Sequence, residues 1–174
     1  MGEMSIFAHK QASPTSIYCG IITVSDTRTA ETDRSGHLMM DLLKCHGHSI
    51  NFYQIVKDDQ HLIKDAIKKI ADIDGIKAIL INGGTGIAAK DVTIETVSSL
   101  FEKKVTGFGE LFRYLSYTED IGPAAMLSRA TAGTYKNKII FVTPGSTGAV
   151  RLAMEKLILP ELGHIVYEIE KDRK

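Results

Sequence analysis

Four times along this chain a short aliphatic run passes through a turn of small or acidic residues into an amphipathic stretch. That repetition restricts the fold more than any single motif. The runs occupy residues 17–24, 50–56, 76–81 and 138–143. Each has the length of a strand and is apolar at consecutive positions, as expected of a strand buried on both faces. Apolar residues then recur at helical spacing, first at Leu38, Met39, Leu42 and Leu43, then at Leu62, Ile63, Ala66, Ile67 and Ile70. The third and fourth sets are Ile94, Val97, Leu100 and Phe101, and Val150, Ala153, Met154, Leu157 and Ile158. Strands alternating with such helices need crossover connections, which build a parallel sheet covered on both sides. The expected fold class is therefore α/β, a doubly wound, mostly parallel sheet with helices on both faces. Further helices are expected over 107–115 and 124–130, separated by Gly122-Pro123, and a last one from Pro160 through Ile165, Val166 and Ile169.

Composition narrows what such a sheet can serve. With 174 residues, 44% of them hydrophobic, the chain can bury one core. We read a single domain over 17–170 behind a flexible tail, 1–16. The 21 basic residues balance 21 acidic ones, and no dense Lys/Arg block is present, which argues against nucleic acid or an anionic membrane as partner. No apolar run approaches the roughly 20 residues of a membrane span, and the first 16 residues lack an apolar signal core, so a cytoplasmic location is expected. Ile6 stands where a myristoylation signal needs Ser or Thr. Cys19 and Cys45 make neither a CxxC motif nor a disulfide framework, and both read as buried thiols. Cys45-His46-Gly47-His48 has the chemistry of zinc ligands, but with no second cluster, and with Gly47 placed to end a helix, it reads as a loop.

The turns carry the functional signal, because in a doubly wound sheet ligands sit outside the carboxyl ends of the strands. There the chain places Ser25-Asp26, Lys57-Asp58-Asp59, Asn82-Gly83-Gly84-Thr85-Gly86 with Asp91 and Thr93, and Pro144-Gly145-Ser146. Glycine permits close backbone approach, and free N–H groups at a helix start attract anions, so the Gly83 turn suits a phosphate. It lacks the Gly-Lys-Ser/Thr ending of a Walker loop. Gly84-Thr85-Gly86-Ile87-Ala88-Ala89 fits the dinucleotide pattern GxGxxA, but no strand closed by an acidic residue follows near Lys103-Lys104. Each aspartate has a plainer reading as a helix cap. Two carboxylates beside two anion-binding turns are nevertheless what a Mg2+-nucleotide site requires.

Gly83-Gly84-Thr85-Gly86, then Asp91-Val92-Thr93 after four residues, with Thr23-Val24-Ser25-Asp26 upstream and Pro144-Gly145-Ser146 downstream, resembles the MoaB/MogA family of molybdenum cofactor biosynthesis. The likeness runs from about Ile17 to Ile169 and includes Gly107-Phe108-Gly109-Glu110 and Leu127-Ser128-Arg129. It implies the family's three-layer molybdopterin-binding fold and adenylylation of molybdopterin by Mg2+-ATP, with pyrophosphate released. By motif position Asp58 and Asp91 match the family's catalytic aspartates and would handle Mg2+. The Gly83, Gly84, Thr85 and Gly86 turn would hold nucleotide phosphates. Ser25, Asp26, Pro144, Gly145 and Ser146 would line the nucleotide or pterin pocket, with Thr93 and Glu110 as neighbours. The resemblance further implies a homo-trimer or homo-hexamer, with contacts to other enzymes of the pathway. Thr147-Gly148 stands where several relatives carry a second proline, which motivates a second reading: a non-catalytic, molybdopterin-binding oligomer or scaffold.

Overall fold

The structure, a computed structural model, describes residues 13–172. In chain order its elements are β1 (Tyr18–Val24), α1 (Arg34–Cys45), β2 (Ser49–Val56), α2 (Gln60–Ala71), β3 (Ile76–Asn82), α3 (Thr93–Ser98), β4 (Lys103–Lys104) and α4 (Thr106–Glu119). A 3-10 turn over Gly122–Leu127 leads to β5 (Thr131–Tyr135), β6 (Lys138–Thr143), α5 (Thr147–Ala153), a π-turn over Met154–Ile158 and α6 (Leu159–Glu170). The six strands lie in the order β2-β1-β3-β6-β5-β4. The pairs β1–β2, β1–β3 and β3–β6 are parallel, and β5 runs antiparallel to both β6 and β4. The sheet is thus mixed, with the expected α/β architecture built on its four parallel strands.

Alternation along those strands feeds two cores. Cys19, Ile21, Ala78, Leu80, Ile139 and Phe141 pack with Met39 and Leu43 of α1, Phe108 and Phe112 of α4, Val150 of α5, and Leu162 and Val166 of α6. Ile22, Val24, Ile79, Ile81, Ile140 and Val142 face the other way, onto Ile63, Ile67 and Ile70 of α2 and Val97 of α3. The chain leaves β1 over one face to reach β2, then returns over the opposite face, past β1, to β3. The direction of winding reverses between β1 and β3, and such a reversal opens a crevice at the strands' carboxyl ends.

Several sequence expectations need correction. Residues 124–130 do not form a helix: the segment is the 3-10 turn Gly122–Leu127, with Pro123 in its first turn, and from Thr131 the chain is strand. β5 escaped the apolar pattern because Thr-Ala-Gly-Thr-Tyr has no aliphatic run. It joins β6 through Lys136 and Asn137, both at positive φ (46° and 58°), the conformation of a two-residue hairpin turn. Lys103–Lys104 is a short strand after all, although it is an exposed antiparallel edge without the acidic terminus of a dinucleotide fold. Cys45 is exposed rather than buried; Gly47, at φ 80°, follows the end of α1 as expected. The helix at Pro160 is not separate, because the π-turn joins it to α5.

Of the expected tail, residues 1–12 lie outside the described residues, and a Cβ on Gly163 of α6 would stand 2.7 Å from the Pro14 carbonyl oxygen. Among the described residues no helix is long and apolar enough to cross a membrane.

Gly133 gives a direct check on the β5 assignment. A Cβ there would lie 2.6 Å from Phe101 Cδ2, whereas one at Gly107 meets nothing within 4 Å. Gly133→Ala should cost about 1–3 kcal/mol in urea unfolding and Gly107→Ala close to nothing; equal effects would contradict the packing of Phe101 on β5.

Candidate functional site

The carboxyl ends of β1, β3 and β6 meet through backbone. Gly83 donates its N–H to the Thr143 carbonyl at 3.1 Å, and a Cβ on Gly83 would overlap the carbonyl oxygen of Val24. Gly83 and Gly84 have φ of 96° and 62°, the left-handed region that glycine enters freely. On the outer side, a Cβ at Gly84 would stand 2.7 Å from Asp58 Oδ2, and one at Gly86 2.5 Å from Asp91 Oδ2. The two carboxylates therefore rest against one turn, in space that side chains would otherwise fill. On the other flank, a Cβ at Gly145 would lie 3.1 Å from the Gly83 Cα.

Local bonds fix each acid. Asp59 caps α2, accepting the N–H groups of His61 and Leu62 at 2.9 and 3.0 Å. That leaves the adjacent Asp58 to face the turn, where its Oδ1 accepts the Val92 N–H at 3.3 Å. Asp91 Oδ2 accepts the Ala88 N–H at 3.0 Å, so Asp91 closes the loop and does not cap α3. Asp26 Oδ1 accepts the Asp58 N–H at 3.2 Å, and its other oxygen lies 3.7 Å from the Lys90 ammonium. Desolvation raises the Asp58 pKa above its ordinary value; the Val92 N–H and Lys90 oppose this, while the charges of Asp91 and Asp26 add to it.

The turn presents unused donors. No acceptor among the described residues takes the N–H groups of Gly84, Thr85, Gly86 or Ile87. Thr93, beside Asp58, is fully buried and its hydroxyl has no partner among the described residues; the same is true of Thr143 at the end of β6. Ser25 accepts the N–H groups of Thr27 and Arg28 at 3.2 and 3.1 Å. Ser146 caps α5 by accepting the Ala149 N–H at 3.2 Å. Both serines keep a hydroxyl proton to donate. Pro144 sits between Thr143 and the Gly145 contact. Glu110 is exposed in α4, and no hydrogen bond among the described residues joins it to this cluster.

Sequence reasoning missed the polar frame behind the turn. Asp33 is fully buried at the N-terminus of α1, and its carboxylate accepts from the Gly36 N–H at 3.0 Å, Thr23 Oγ1 at 2.5 Å and the Tyr53 hydroxyl at 2.7 Å. Desolvation pushes the Asp33 carboxyl up, but the hydrogen bonds from Thr23, Tyr53, Gly36 and Ser35 outweigh it and hold the pKa below its usual value. Burial and that same bond raise the Tyr53 phenol. Asn82 links the strands, donating to Thr23 Oγ1 at 2.9 Å and accepting from Ser35 at 2.8 Å. Arg28 contacts Ser35, pairs with Asp33 at 3.3 Å and donates to the Gly145 carbonyl at 2.8 Å, so it ties the β1 loop to the β6 loop. Arg129 does the same for the glycine turn: it donates to the carbonyls of Thr85 at 2.9 Å and Gly86 at 2.6 Å and pairs with Glu95. The signal for Asp33 was its place five residues before Leu38, the first apolar position of α1. For Arg129 the sequence offered only its membership of the family pattern.

The buried carboxylate makes stability depend on acid. Its folded pKa lies below the unfolded value of about 3.9, so its contribution is present above that value and is lost as pH falls through the folded one. Asp33→Asn should cost about 3 kcal/mol at pH 7, with the gap to the unmodified protein closing as pH falls below about 4 in thermal unfolding. A gap that stays constant with pH would count against an ionised Asp33.

Comparison with known proteins gives this geometry a family. Residues 20–164 match the family model described as "Probable molybdopterin binding domain". The Bacillus subtilis protein named Molybdenum cofactor biosynthesis protein B is 55% identical over 170 residues, covering 98% of this chain and 100% of that one. A crystal structure of a protein of that name, 55% identical, superimposes with a TM-score of 0.89 over 91% of this chain and 99% of its own. The tungsten cofactor synthesizing protein MoaB of Pyrococcus furiosus, 36% identical, matches with a TM-score of 0.76 over 90% and 98%. With that match over most of its length, the chain belongs to the molybdopterin-binding domain family.

Proposed function

We propose that this protein adenylylates molybdopterin in molybdenum cofactor biosynthesis, using Mg2+-ATP. The observation that carries this reading is the run of unbonded N–H groups at Gly84–Ile87, flanked by Asp58 and Asp91, at the reversal point of the sheet. A terminal phosphate oxygen of the pterin forms a bond to the α-phosphorus of ATP as the bond to pyrophosphate breaks, and the leaving group takes the electron pair. Nothing is transferred through the protein, so catalysis consists of alignment and charge stabilisation. The glycine turn holds phosphate oxygens by its N–H groups. Hydroxyls of Ser25, Ser146 and Thr93 and the Gly145 loop orient the two substrates from either side.

The donor set suits a hard cation. Asp58 and Asp91 offer oxygens only, and no group of three or more His, Cys, Asp or Glu residues is arranged as a metal site among the described residues. Two carboxylates with the remainder from water and phosphate is the usual Mg2+ complement. Held by this pair, Mg2+ would supply positive charge to the phosphate oxygens. Desolvation is the largest cause of the raised Asp58 pKa, and such a charge would offset both that cost and the added repulsion from Asp91 and Asp26.

Pyrophosphate release from Mg2+-ATP, with and without molybdopterin, tests the assignment. Asp91→Asn should reduce pterin-dependent turnover by about 100-fold or more with the melting temperature little changed; unchanged turnover would sink the reading. Because the folded pKa of Asp58 is raised, ionising it costs stability, a cost absent below the unfolded value and complete above the folded one. Asp58→Asn should therefore melt higher than the unmodified protein at pH 7 without Mg2+, lose that advantage below pH of about 4, and gain less from added Mg2+. An unmodified protein that binds molybdopterin yet releases no pyrophosphate would leave the non-catalytic oligomer, the reading to which Thr147-Gly148 points.

The same family reading includes assembly. Leu111, Tyr114 and Tyr117 of α4 and Ile121, Met126 and Leu127 beyond it are all exposed, an apolar surface of the kind subunit contacts cover. Sedimentation velocity should show a trimer or hexamer that Tyr114→Glu weakens; a monomer at micromolar concentration would rule this out.

A further inference from the structure

Arg129 lies outside every residue assigned so far to substrate, yet its guanidinium donates hydrogen bonds to two carbonyls of the glycine turn. Nε donates to the Thr85 carbonyl at 2.9 Å, one terminal nitrogen donates to the Gly86 carbonyl at 2.6 Å and reaches the Asp91 carbonyl at 3.4 Å, and the other contacts Glu95. Three carbonyls of one loop thus converge on a single planar group.

The planarity of the peptide bond turns that convergence into an orientation. In a trans peptide the C=O and the following N–H point in opposite directions. Pinning the Thr85 and Gly86 carbonyls on Arg129 aims the N–H groups of Gly86 and Ile87 away from it. The Asp91 carbonyl provides an internal check: the N–H of the same peptide, on Val92, points to the far side and meets Asp58 Oδ1 at 3.3 Å. The side opposite Arg129 is therefore the side of the Asp58 carboxylate. The N–H groups of Gly86 and Ile87 have no acceptor among the described residues.

Left alone, this loop has little reason to keep that orientation. Among the described residues its N–H groups from Gly84 to Ile87 are unbonded, and it begins with two left-handed glycines. The carbonyls, as the negative ends of the peptide dipoles, would repel an incoming phosphate if they turned outward. A guanidinium is suited to prevent this, since its fixed fork of donors satisfies several acceptors at once and it stays charged at any working pH. Glu95, in the first turn of α3, holds the fork from behind.

We propose that Arg129 is a positioning residue that, backed by Glu95, holds the carbonyls of the glycine turn away from the ligand and so presents the Gly86 and Ile87 N–H groups to a nucleotide phosphate. This rests on the reading of the turn as a phosphate site. Arg129 touches no substrate; it acts through the backbone it orients.

The test uses the full-length protein with Mg2+-ATP as probe. Affinity is measured by calorimetry, and the amide signals of Gly86 and Ile87 are followed by NMR. In the unmodified protein those two amides should shift downfield on nucleotide addition. Arg129→Gln should weaken binding about 10-fold or more and abolish the two shifts, and Arg129→Lys, a point charge without the fork, should recover only part. Millimolar guanidinium added to Arg129→Ala should restore affinity, which a general loss of folding would not allow. Should Arg129→Gln fold poorly, Glu95→Gln keeps the guanidinium and removes its anchor, and should still raise the KM for ATP more than it lowers kcat. Unchanged affinity and unchanged amide shifts in Arg129→Gln or Glu95→Gln would overturn the proposal while leaving the phosphate site standing. An unmodified protein that fails to bind Mg2+-ATP would overturn both.

Discussion

The contact between Gly83 and the Val24 carbonyl is the constraint on which the rest of the site depends. Parallel strands bring β1 and β3 side by side, but at their ends the chains must diverge, one toward α1 and the other toward α3. At Gly83 the backbone of β3 closes against that of β1 and, through the Thr143 carbonyl, against β6. No side chain fits between them. The loops after three strands are therefore brought within bonding reach of each other, and everything polar at this edge is arranged around that junction.

Two electrostatic environments follow, one on each side of the sheet edge. Behind the junction Asp33 is buried with its charge, but Arg28, Thr23, Tyr53, Gly36 and Ser35 surround it, so the charge is stabilised and its partners are fixed. In front, desolvation raises the cost of ionising Asp58 and the charges of Asp91 and Asp26 add to it, with the Val92 N–H and Lys90 acting against them. The first arrangement is complete in itself. The second leaves Asp58 at a cost in the protein alone that an added cation would offset, which is why the front rather than the back is the place proposed for a ligand.

Much of this was legible in the sequence because it follows from periodicity and from residue types with few alternatives. The four aliphatic runs are the four parallel strands, and the turns after them do gather at one edge. The glycine turn announced itself, since consecutive glycines after a buried strand have few other uses. What stayed hidden depends on pairing across the chain. β5 has no aliphatic run, and Phe101 lies over its Gly133; nothing local marks such a strand. Lys103–Lys104 becomes a strand by borrowing its register from β5. Residue type alone did not separate Asp58 from Asp59; the family resemblance picked Asp58, and the structure shows Asp59 capping α2 while Asp58 faces the glycine turn. The roles of Arg28 and Arg129 were hidden because the carbonyls they hold, at Gly145 and at Thr85 and Gly86, are far away in sequence. Glu110, carried over from the family pattern, makes no hydrogen bond to the cluster among the described residues.

The π-turn between α5 and α6 carries a consequence for the core that faces them. Val150, Met154, Ile158, Leu162 and Val166 are all buried against the same cluster and recur every four residues. An α-helix repeats every 3.6 residues, so a stripe of period four drifts around it by about 40° at each step. Over four steps that drift would carry the last members well around the rod. The wider turn at Met154–Ile158 takes up part of the excess. Chain length at this point is therefore a packing variable in its own right: one residue more or fewer changes no side chain of the stripe, yet it changes which direction Leu162 and Val166 face.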